Sequence, residues 1–125
     1  MKFQPDDVSD SNNIHRHDAQ GIWVNGQLYS HSLIVPRQGE VLRWRPTRFE
    51  DLQPADFEAL LVGDPELVVF GSGNRLRFAR PNQWRALVQA RVGLETMDLA
   101  AACRTYNVLA SERRRVVAAL LIETA

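Results

Sequence analysis

Residues 92–122 read VGLETMDLAAACRTYNVLASERRRVVAALLI, and this stretch predicts a strand, a helix and a second strand. Residues 94–97 (LETM) are predicted to form a short strand. Asp98 follows, and an aspartate at this position caps a helix because its carboxylate accepts N–H groups that lack partners in the first turn. Apolar residues then recur at helical spacing and predict one buried face: Leu99, Ala102, Cys103, Tyr106, Leu109 and Ala110. Residues 116–122 lack polar alternation, as expected for a central strand covered on both faces.

The middle of the chain shows the same alternation of helices and strands. Residues 53–62 have near-helical apolar spacing, and residues 67–70 (LVVF) form another run typical of a covered strand. A tight loop is predicted at Gly71-Ser72-Gly73-Asn74. A second helix is predicted to begin at Pro81 and end at Gly93, with three side chains on its buried face: Trp84, Leu87 and Val88.

The first part of the chain is predicted to be mostly β. Asn25-Gly26 predicts a hairpin over residues 21–30, because a type I′ turn needs two consecutive residues with positive φ. Residues 32–36 and 40–45 are two further β-rich runs. Residues 1–20 have few large apolar side chains and are expected to form a disordered N-terminal tail, which leaves residues 21–125 as a single domain.

These elements together define the expected fold class. Strands and helices that alternate from residue 65 onward predict a sheet that is largely parallel or mixed, with helices packed on it. The chain is therefore predicted to be an α/β domain with a mixed central sheet and an added N-terminal β-hairpin region.

Composition narrows the classes of function. The 15 basic and 15 acidic residues cancel to a formal net charge of zero, which argues against nucleic acid as a partner and favours a solvated role for residues 113–115 (RRR). Cys103 is the only cysteine, which excludes an intrachain disulfide and agrees with a cytoplasmic location. No window approaches the ~20 apolar residues of a membrane-spanning helix.

Residues 15–18 (HRHD) contain metal-ligand side chains, but no metal is assigned to them. A tail of this composition would have to become ordered on binding, and the entropic cost of that ordering opposes a metal site. No other segment has the spacing of a metal motif, so we predict no metal and no cofactor.

Several separated segments resemble one family: residues 33–44 ending in Trp44, the Gly71-Ser72-Gly73 loop, Pro81, residues 95–98 (ETMD) and residues 101–107 (AACRTYN). They are similar to the Mth-type family of domains of unknown function, from about residue 21 to the C-terminus. This family includes a mitochondrial assembly factor for respiratory complex I and an adipogenesis-associated mammalian protein. The resemblance implies the α/β fold described above and a protein partner, and it implies no reaction. Relatives usually carry Thr where this chain has Leu99, so a hydroxyl is missing from the presumed site.

The candidate binding surface lies where the predicted strands end. Open α/β sheets usually bind ligands at the carboxyl ends of their parallel strands, and glycines there let the backbone approach a phosphate. Leu76 stands where the dinucleotide fingerprint needs a small residue, and no Walker lysine follows, so a structural turn is favoured over phosphate binding. The candidate surface comprises Gly71, Ser72, Gly73, Asn74, Glu95, Asp98, Arg104, Tyr106 and Asn107.

Glu95 and Cys103 carry reactive side chains, and each has a structural interpretation beside a functional one. Glu95 is either buried in a central strand, where it needs a partner such as Arg104 or Tyr106, or it lies near the edge of the sheet. Cys103 is interpreted as a small buried apolar residue, because it lies on the apolar stripe and no histidine is close in sequence to activate it. We therefore predict no catalytic residue.

Two hypotheses of function follow. The leading one is a non-enzymatic binding or assembly accessory protein with a protein partner, because no nucleophile–base pair and no complete cofactor loop is present. The alternative is a small-molecule-binding protein or enzyme, whose pocket would contain Glu95, Asp98, Arg104 and Tyr106.

Overall fold

The computed structural model of the chain describes residues 11–123, which form two sheets and three α-helices. The smaller sheet is antiparallel and has three strands, β1 (Ile14–Asp18), β2 (Gly21–Val24) and β3 (Gln27–Tyr29), in that spatial order. The larger sheet contains β4 (Leu33–Pro36), β5 (Leu42–Arg43), β6 (Leu67–Gly71), β7 (Gly93–Met97) and β8 (Val116–Leu120). Its spatial order is β5-β4-β8-β6-β7.

The larger sheet is mixed, as predicted. β6 runs parallel to both β7 and β8, whereas β4 runs antiparallel to β8. All five residues of β8 are buried, as expected for a central strand. The predicted α/β fold class with a mixed central sheet is therefore confirmed.

The helices are shorter than predicted in the middle of the chain. One 3-10 turn lies at Phe49–Asp51. α1 (Pro54–Glu58) continues into another at Ala59–Leu61, and a third at Pro81–Gln83 precedes α2 (Arg85–Gln89). The prediction that Val88 is buried and that Gly93 ends this helix is wrong. Val88 is 57% exposed, and the chain turns at Arg91, whose φ is 62°, so that Gly93 begins β7.

α3 (Leu99–Ser111) is the longest of these helices, with 13 residues. It packs on one face of the larger sheet through residues that the apolar spacing predicted: Leu99, Ala102, Cys103, Tyr106 and Ala110. The smaller sheet packs on the same side through Ile14, Ile22 and Val24. Within residues 11–123, none of the helices is long and apolar enough to cross a membrane.

The other face of the larger sheet is covered by α1, α2 and the loops that join them. Trp44, Phe57 and Phe70 form an edge-to-face aromatic cluster with ring centroids 5.5–6.0 Å apart. The indole N–H of Trp44 donates to the carbonyl oxygen of Asp56 at 3.0 Å, so its one polar atom is satisfied inside the core.

The N-terminal region contains one confirmed prediction and one correction. Asn25 and Gly26 have φ values of 52° and 86°, as a type I′ turn requires, and they join β2 to β3. The predicted disorder is wrong for residues 14–18, because they form β1, pair with β2 and bury Ile14 to 4% exposure. Residues 1–10 lie outside the described residues. The partners of β1 lie far along the chain or on β2, so local composition does not reveal them.

Candidate binding surface at the rim of the parallel strands

Gly73 and Asp98 lie at the same rim of the larger sheet. β6 and β7 are parallel neighbours, so both end there, and the N–H of Ser72 donates to the carbonyl oxygen of Met97 at 2.8 Å. The N–H of Leu99 donates to the carbonyl oxygen of Gly73 at 2.7 Å. The expected proximity of these two turns is confirmed, while their role in binding stays a prediction.

Asp98 is the N-cap of α3, as predicted. Its carboxylate accepts a hydrogen bond from the N–H of Ala101 at 2.9 Å, and its carbonyl oxygen accepts from Ala102 at 2.9 Å. The N–H of Leu99 is already bound to Gly73. Three of the first four N–H groups of this helix therefore have partners, which leaves little donor capacity for a bound anion.

The glycine loop is held together by Ser72, whose exposed fraction is 0%. Its hydroxyl donates to the carbonyl oxygen of Arg75 at 2.8 Å and accepts from the N–H of Arg77 at 2.9 Å. Gly71 is the last residue of β6, where a Cβ would lie 2.9 Å from the Cβ of Ala102 and would push α3 off the sheet. Of the four predicted loop residues, Asn74 is the exposed one.

An ion pair between Arg77 and Glu123, which the sequence did not reveal, holds the glycine loop in place. Nη2 of Arg77 donates to the carbonyl oxygen of Ser72 and to Oε1 of Glu123, both at 2.6 Å. Oε2 of Glu123 accepts from the N–H of Phe49 at 2.9 Å, and the Arg77 guanidinium lies 4.6 Å from the centre of the Phe49 ring. Partial burial raises the pKa of Glu123, but the hydrogen bonds from Arg77 and Phe49 outweigh it and hold that pKa below its usual value.

A cleft of about 240 Å³ opens beside this loop, and we refer to it as the rim cleft. Apolar side chains, two carboxylates and one imidazole line it together with backbone from both turns: His17, Asp18, Ala19, Gly21, Ile22, Gly73, Asn74, Leu99, Leu121, Ile122 and Glu123. The carboxylate of Asp18 is held by the guanidinium of Arg16 and by the N–H of Gln20. Two residues of the predicted surface, Gly73 and Asn74, thus face a concave site.

A second cleft, of about 210 Å³, lies between β1 and α3, and we refer to it as the helix cleft. It is lined by Ile14, His15, Arg16, His17, Ala100, Cys103, Arg104 and Asn107. The Asn107 amide binds both backbone groups of Ile14: its Oδ1 accepts from the N–H at 3.0 Å and its Nδ2 donates to the carbonyl oxygen. His17 lines both clefts, so β1 separates the two groups of predicted residues.

Comparison with known sequences identifies the family. A family model described as "Protein of unknown function (DUF498/DUF598)" matches residues 14–121. The chain belongs to this family. The resemblance inferred from the sequence motifs is therefore confirmed, and the match includes β1.

Curated relatives of this family member are named for an assembly role. The chain is 31% identical over 111 residues to NADH dehydrogenase (ubiquinone) 1 alpha subcomplex assembly factor 3 of Xenopus tropicalis and 30% identical to that of Bos taurus. Each match covers 86% of this chain but only 60% and 59% of the relative. The chain thus spans about 60% of the length of the curated relatives it matches.

Solved structures of family relatives have the same fold. A crystal structure of a Bordetella parapertussis protein matches with a TM-score of 0.85 and 36% identity, over 89% of this chain and 95% of that chain. A solution structure of a Bordetella pertussis protein, described as a Mth938-like domain, matches with a TM-score of 0.85 and 29% identity. This match covers 100% of this chain and 95% of that chain. An NMR structure of a Xanthomonas campestris protein matches with a TM-score of 0.77 and 36% identity. This match covers 90% of this chain and 85% of that chain.

Two residues of the predicted binding surface, Tyr106 and Glu95, lie outside it in the structure. Tyr106 has an exposed fraction of 0%. Its hydroxyl donates to the carbonyl oxygen of Asn12 at 2.8 Å, and the carbonyl oxygen of Pro36 lies within hydrogen-bonding distance of the same hydroxyl, at 3.2 Å. Burial raises the pKa of Tyr106, so it stays a neutral hydroxyl within the core. Glu95 is exposed on β7, the edge strand, and lines neither cleft. The prediction of one pocket containing Glu95 and Tyr106 is wrong, and the edge position is the correct interpretation of Glu95.

Cys103 reaches the helix cleft but has the properties of a core residue. It is 5% exposed, and burial raises its pKa to about 12, although the neighbouring Arg104 guanidinium lowers it in part. A thiol with so high a pKa carries a negligible fraction of thiolate at neutral pH, so it is a poor nucleophile. Within residues 11–123, no three His, Cys, Asp or Glu side chains are grouped closely enough to hold a metal ion.

Proposed function

We propose that the chain is a non-enzymatic accessory protein that binds another protein during the assembly of a larger complex. One observation carries this proposal: at the rim where an α/β enzyme would hold its substrate, the backbone donors are occupied by the chain's own hydrogen bonds. The N–H of Leu99 is bound to Gly73, and the N–H of Ala101 is bound to the Asp98 carboxylate. A substrate at this rim would find few free donors, and the thiol of Cys103, which lines the helix cleft, has a raised pKa.

The names of the relatives supply the class of partner. Since curated relatives are named as assembly factors of an NADH dehydrogenase, the proposed partner is a protein subunit of a respiratory complex. Only part of each relative is matched, so the partner is proposed for the shared domain alone. We propose a cytoplasmic site of action, which agrees with the single, buried cysteine.

The proposed contact surface runs along both sides of β1. It comprises Asn74 at the rim cleft, His17 between the clefts, and Arg104 in the helix cleft. Each cleft, at about 240 and 210 Å³, is smaller than the roughly 300–1,000 Å³ typical of drug-sized ligand sites. Two clefts of this size and of mixed polarity suit side chains of a protein partner better than a whole cofactor.

A second candidate function is the binding of a small cationic ligand in the rim cleft. The observation that favours it is the presence of two carboxylates, Asp18 and Glu123, beside the apolar side chains of Ile22 and Leu121. A small amine could place its charge near the carboxylates and its carbon atoms on the apolar side chains. Both carboxylates already have arginine partners, which weakens this alternative.

Affinity capture from the source cells tests the leading proposal. The wild-type chain should recover NADH dehydrogenase subunits, and Arg104→Glu should recover several-fold less because it reverses an exposed charge in the helix cleft. Arg85→Glu is the matched control, since Arg85 is an exposed arginine on α2 in neither cleft. Equal recovery by all three proteins, or no NADH dehydrogenase subunit at all, would contradict the proposal.

A thermal-shift screen separates the two candidates. A small molecule present at 100 times its Kd should stabilise the folded state by ~2.7 kcal/mol. A protein-binding accessory should show no such shift with a panel of polyamines and amino-acid amines. A clear shift that Asp18→Asn removes would favour the second candidate.

A further inference from the structure

We propose that β7 is a docking site for an extended segment of another protein, which adds as a sixth strand and places a lysine or arginine side chain against Glu95. This inference goes beyond the proposed function, because β7 lies outside both clefts. Addition of a strand to an open sheet edge is an established mode of peptide recognition, in which main-chain hydrogen bonds give affinity and side chains give selectivity.

The two edges of the larger sheet differ in length and regularity. β5 forms one edge with two residues, whereas β7 forms the other with five. The register of β7 on β6 is unbroken over five pairs, from Leu67–Gly93 to Gly71–Met97, without a bulge. β7 contains no proline, and Glu95 is its only charged residue. Proteins usually shorten, bulge or charge an edge to block pairing, so β7 is open except for one carboxylate.

The unpaired backbone groups of β7 follow from its hydrogen bonds to the rest of the sheet. The N–H of Gly93 donates to the backbone carbonyl oxygen of Glu66 at 3.0 Å, and the carbonyl oxygen of Met97 accepts from the N–H of Ser72 at 2.8 Å. Gly93 and Met97 therefore direct their backbone groups toward β6. Backbone groups alternate in direction along a strand. The N–H and carbonyl groups of Leu94 and Thr96 therefore point to the open edge, where no other strand of residues 11–123 pairs with β7.

The side chains of β7 define what an added strand must carry. Glu95 pairs in register with Val69, which belongs to the core beneath α3, and its carboxylate is exposed on that face. Leu94 lies on the opposite face, half-buried against the core that α1 and α2 cover, which contains Phe57 and Phe70. A residue placed directly opposite Glu95 would lie within reach of its carboxylate, so a basic side chain fits there. Apolar or β-branched residues fit the flanking positions on the face of Leu94.

A second copy of the chain fits this edge poorly. The symmetric antiparallel register that uses all the free groups pairs Leu94 with Thr96 of the other copy, and it places the two Glu95 side chains opposite each other. Such a pair has Cα atoms about 4.5 Å apart, and like charges at that position are destabilising. A register shifted to pair Thr96 with Val92 of the other copy fails, because the Val92 N–H already donates to Leu87 at 2.8 Å. The charge of Glu95 thus selects against self-pairing and in favour of a basic strand.

Titration of the ¹⁵N-labelled protein with two blocked peptides, Thr-Val-Lys-Val-Thr and Thr-Val-Glu-Val-Thr, tests this proposal. We expect saturable amide shifts at Leu94, Glu95 and Thr96 with the lysine peptide, and about five-fold weaker binding of the glutamate peptide. Glu95→Lys should reverse that preference. Shifts absent at millimolar peptide, shifts confined to Asn74 and Arg104, or equal binding of both peptides would overturn the proposal.

Thr96→Pro is the matched control for the backbone. It removes an N–H that points to the open edge and leaves the bonds to β6 in place, so the far-ultraviolet circular dichroism should be unchanged while peptide binding is lost. Unaltered binding by a folded Thr96→Pro protein would contradict the proposed main-chain contact. Arg104→Glu, which tests the proposed function, should leave the peptide titration unchanged, so the two proposals can fail separately.

Sedimentation velocity tests the role assigned to the Glu95 charge. Glu95→Val should convert a monomer into a concentration-dependent dimer, and addition of Thr96→Pro should restore the monomer. A wild-type protein that dimerises in a manner abolished by Thr96→Pro would show a second copy to be the occupant. A Glu95→Val protein that stays monomeric would overturn the claim that the edge is open to pairing.

Discussion

The backbone N–H of Leu99 donates to the carbonyl oxygen of Gly73 at 2.7 Å, and this bond joins the glycine loop to the first residue of α3. In a phosphate-binding loop, the amide groups of the glycines and the helix N-terminus point together at an anion. Here a glycine carbonyl occupies one helix donor and the Asp98 carboxylate occupies another. With two helix donors occupied in this way, the Gly-Ser-Gly loop after the buried strand offers fewer free amide groups than a phosphate-binding loop does.

Gly73→Ala should destabilise the fold by roughly 2–3 kcal/mol. Gly73 has a φ of 105°, and an added Cβ would lie 2.6 Å from Nη2 of Arg77 and 3.2 Å from Oε1 of Glu123, so both strain and displacement of the ion pair contribute. Gly39→Ala is the control, since Gly39 has a φ of 99° and nothing within 4 Å of its added Cβ. Urea unfolding should show a smaller loss for Gly39→Ala, and equal losses would mean that the ion pair accommodates the methyl group.

Asn107→Ala should release β1 from α3 at a cost of about 1–3 kcal/mol, because both backbone groups of Ile14 lose their side-chain partner. Hydrogen exchange of the Ile14 amide should accelerate, while amides of the central strand β8 keep the protection set by global unfolding. Arg104→Ala, an exposed position on the same helix, should change the free energy of unfolding by less than about 0.5 kcal/mol. Unchanged exchange at Ile14 would show that pairing with β2 alone holds β1.

Glu123→Gln should reduce the loss of stability that the protein shows in acid. The pKa of Glu123 is lower in the folded state than its ordinary value of 4.5, so the carboxylate contributes stability at higher pH, and that contribution is lost as the pH falls through the folded-state pKa. The difference in unfolding free energy between pH 7 and pH 3 should therefore be smaller for Glu123→Gln than for wild type. Glu58→Gln, an exposed control, should retain the wild-type pH dependence. Identical profiles for Glu123→Gln and wild type would count against the ion pair.

Cys103 should be alkylated slowly by iodoacetamide at pH 8 in the folded protein and rapidly in urea. Burial raises its pKa to about 12, and only the thiolate reacts, so the native thiol is both inaccessible and protonated. Mass spectrometry of time points measures the modified fraction. Complete modification of the native protein within minutes would contradict this interpretation and make Cys103 a candidate nucleophile of the helix cleft.

Several features were predictable because their signals lie within a few residues of one another. Asn25 and Gly26 adopt positive φ values, which asparagine tolerates and which glycine adopts readily because it has no Cβ, and Asp98 caps the helix that it immediately precedes. The buried runs at β6 and β8 became the covered strands of the sheet. The short helix at α2 was less predictable, because Pro81 marks only a start and packing decides how many residues follow.

The candidate surface was predicted less well, because its residues meet across long separations. Arg77 and Glu123 are 46 residues apart, Phe49 and Glu123 are 74 apart, and Asn107 binds Ile14 across 93 residues. Side chains so far apart leave no periodic or spacing signal in the sequence. Tyr106 and Glu95 were placed on the surface from their residue types, although packing buried the first and strand order moved the second to the edge.

The sequence alone determined the covered strands β6 and β8, the helix α3 with its Asp98 cap, and the Asn25-Gly26 turn, since backbone propensity, capping and apolar spacing act over one or two turns of chain. Tertiary structure decided the order of the strands, and with it the open edge at β7, the recruitment of β1 and the ion pair beneath the glycine loop. These features depend on which apolar faces bury each other. Burial free energy is gained only when distant segments meet, so their neighbours are set by the assembled fold.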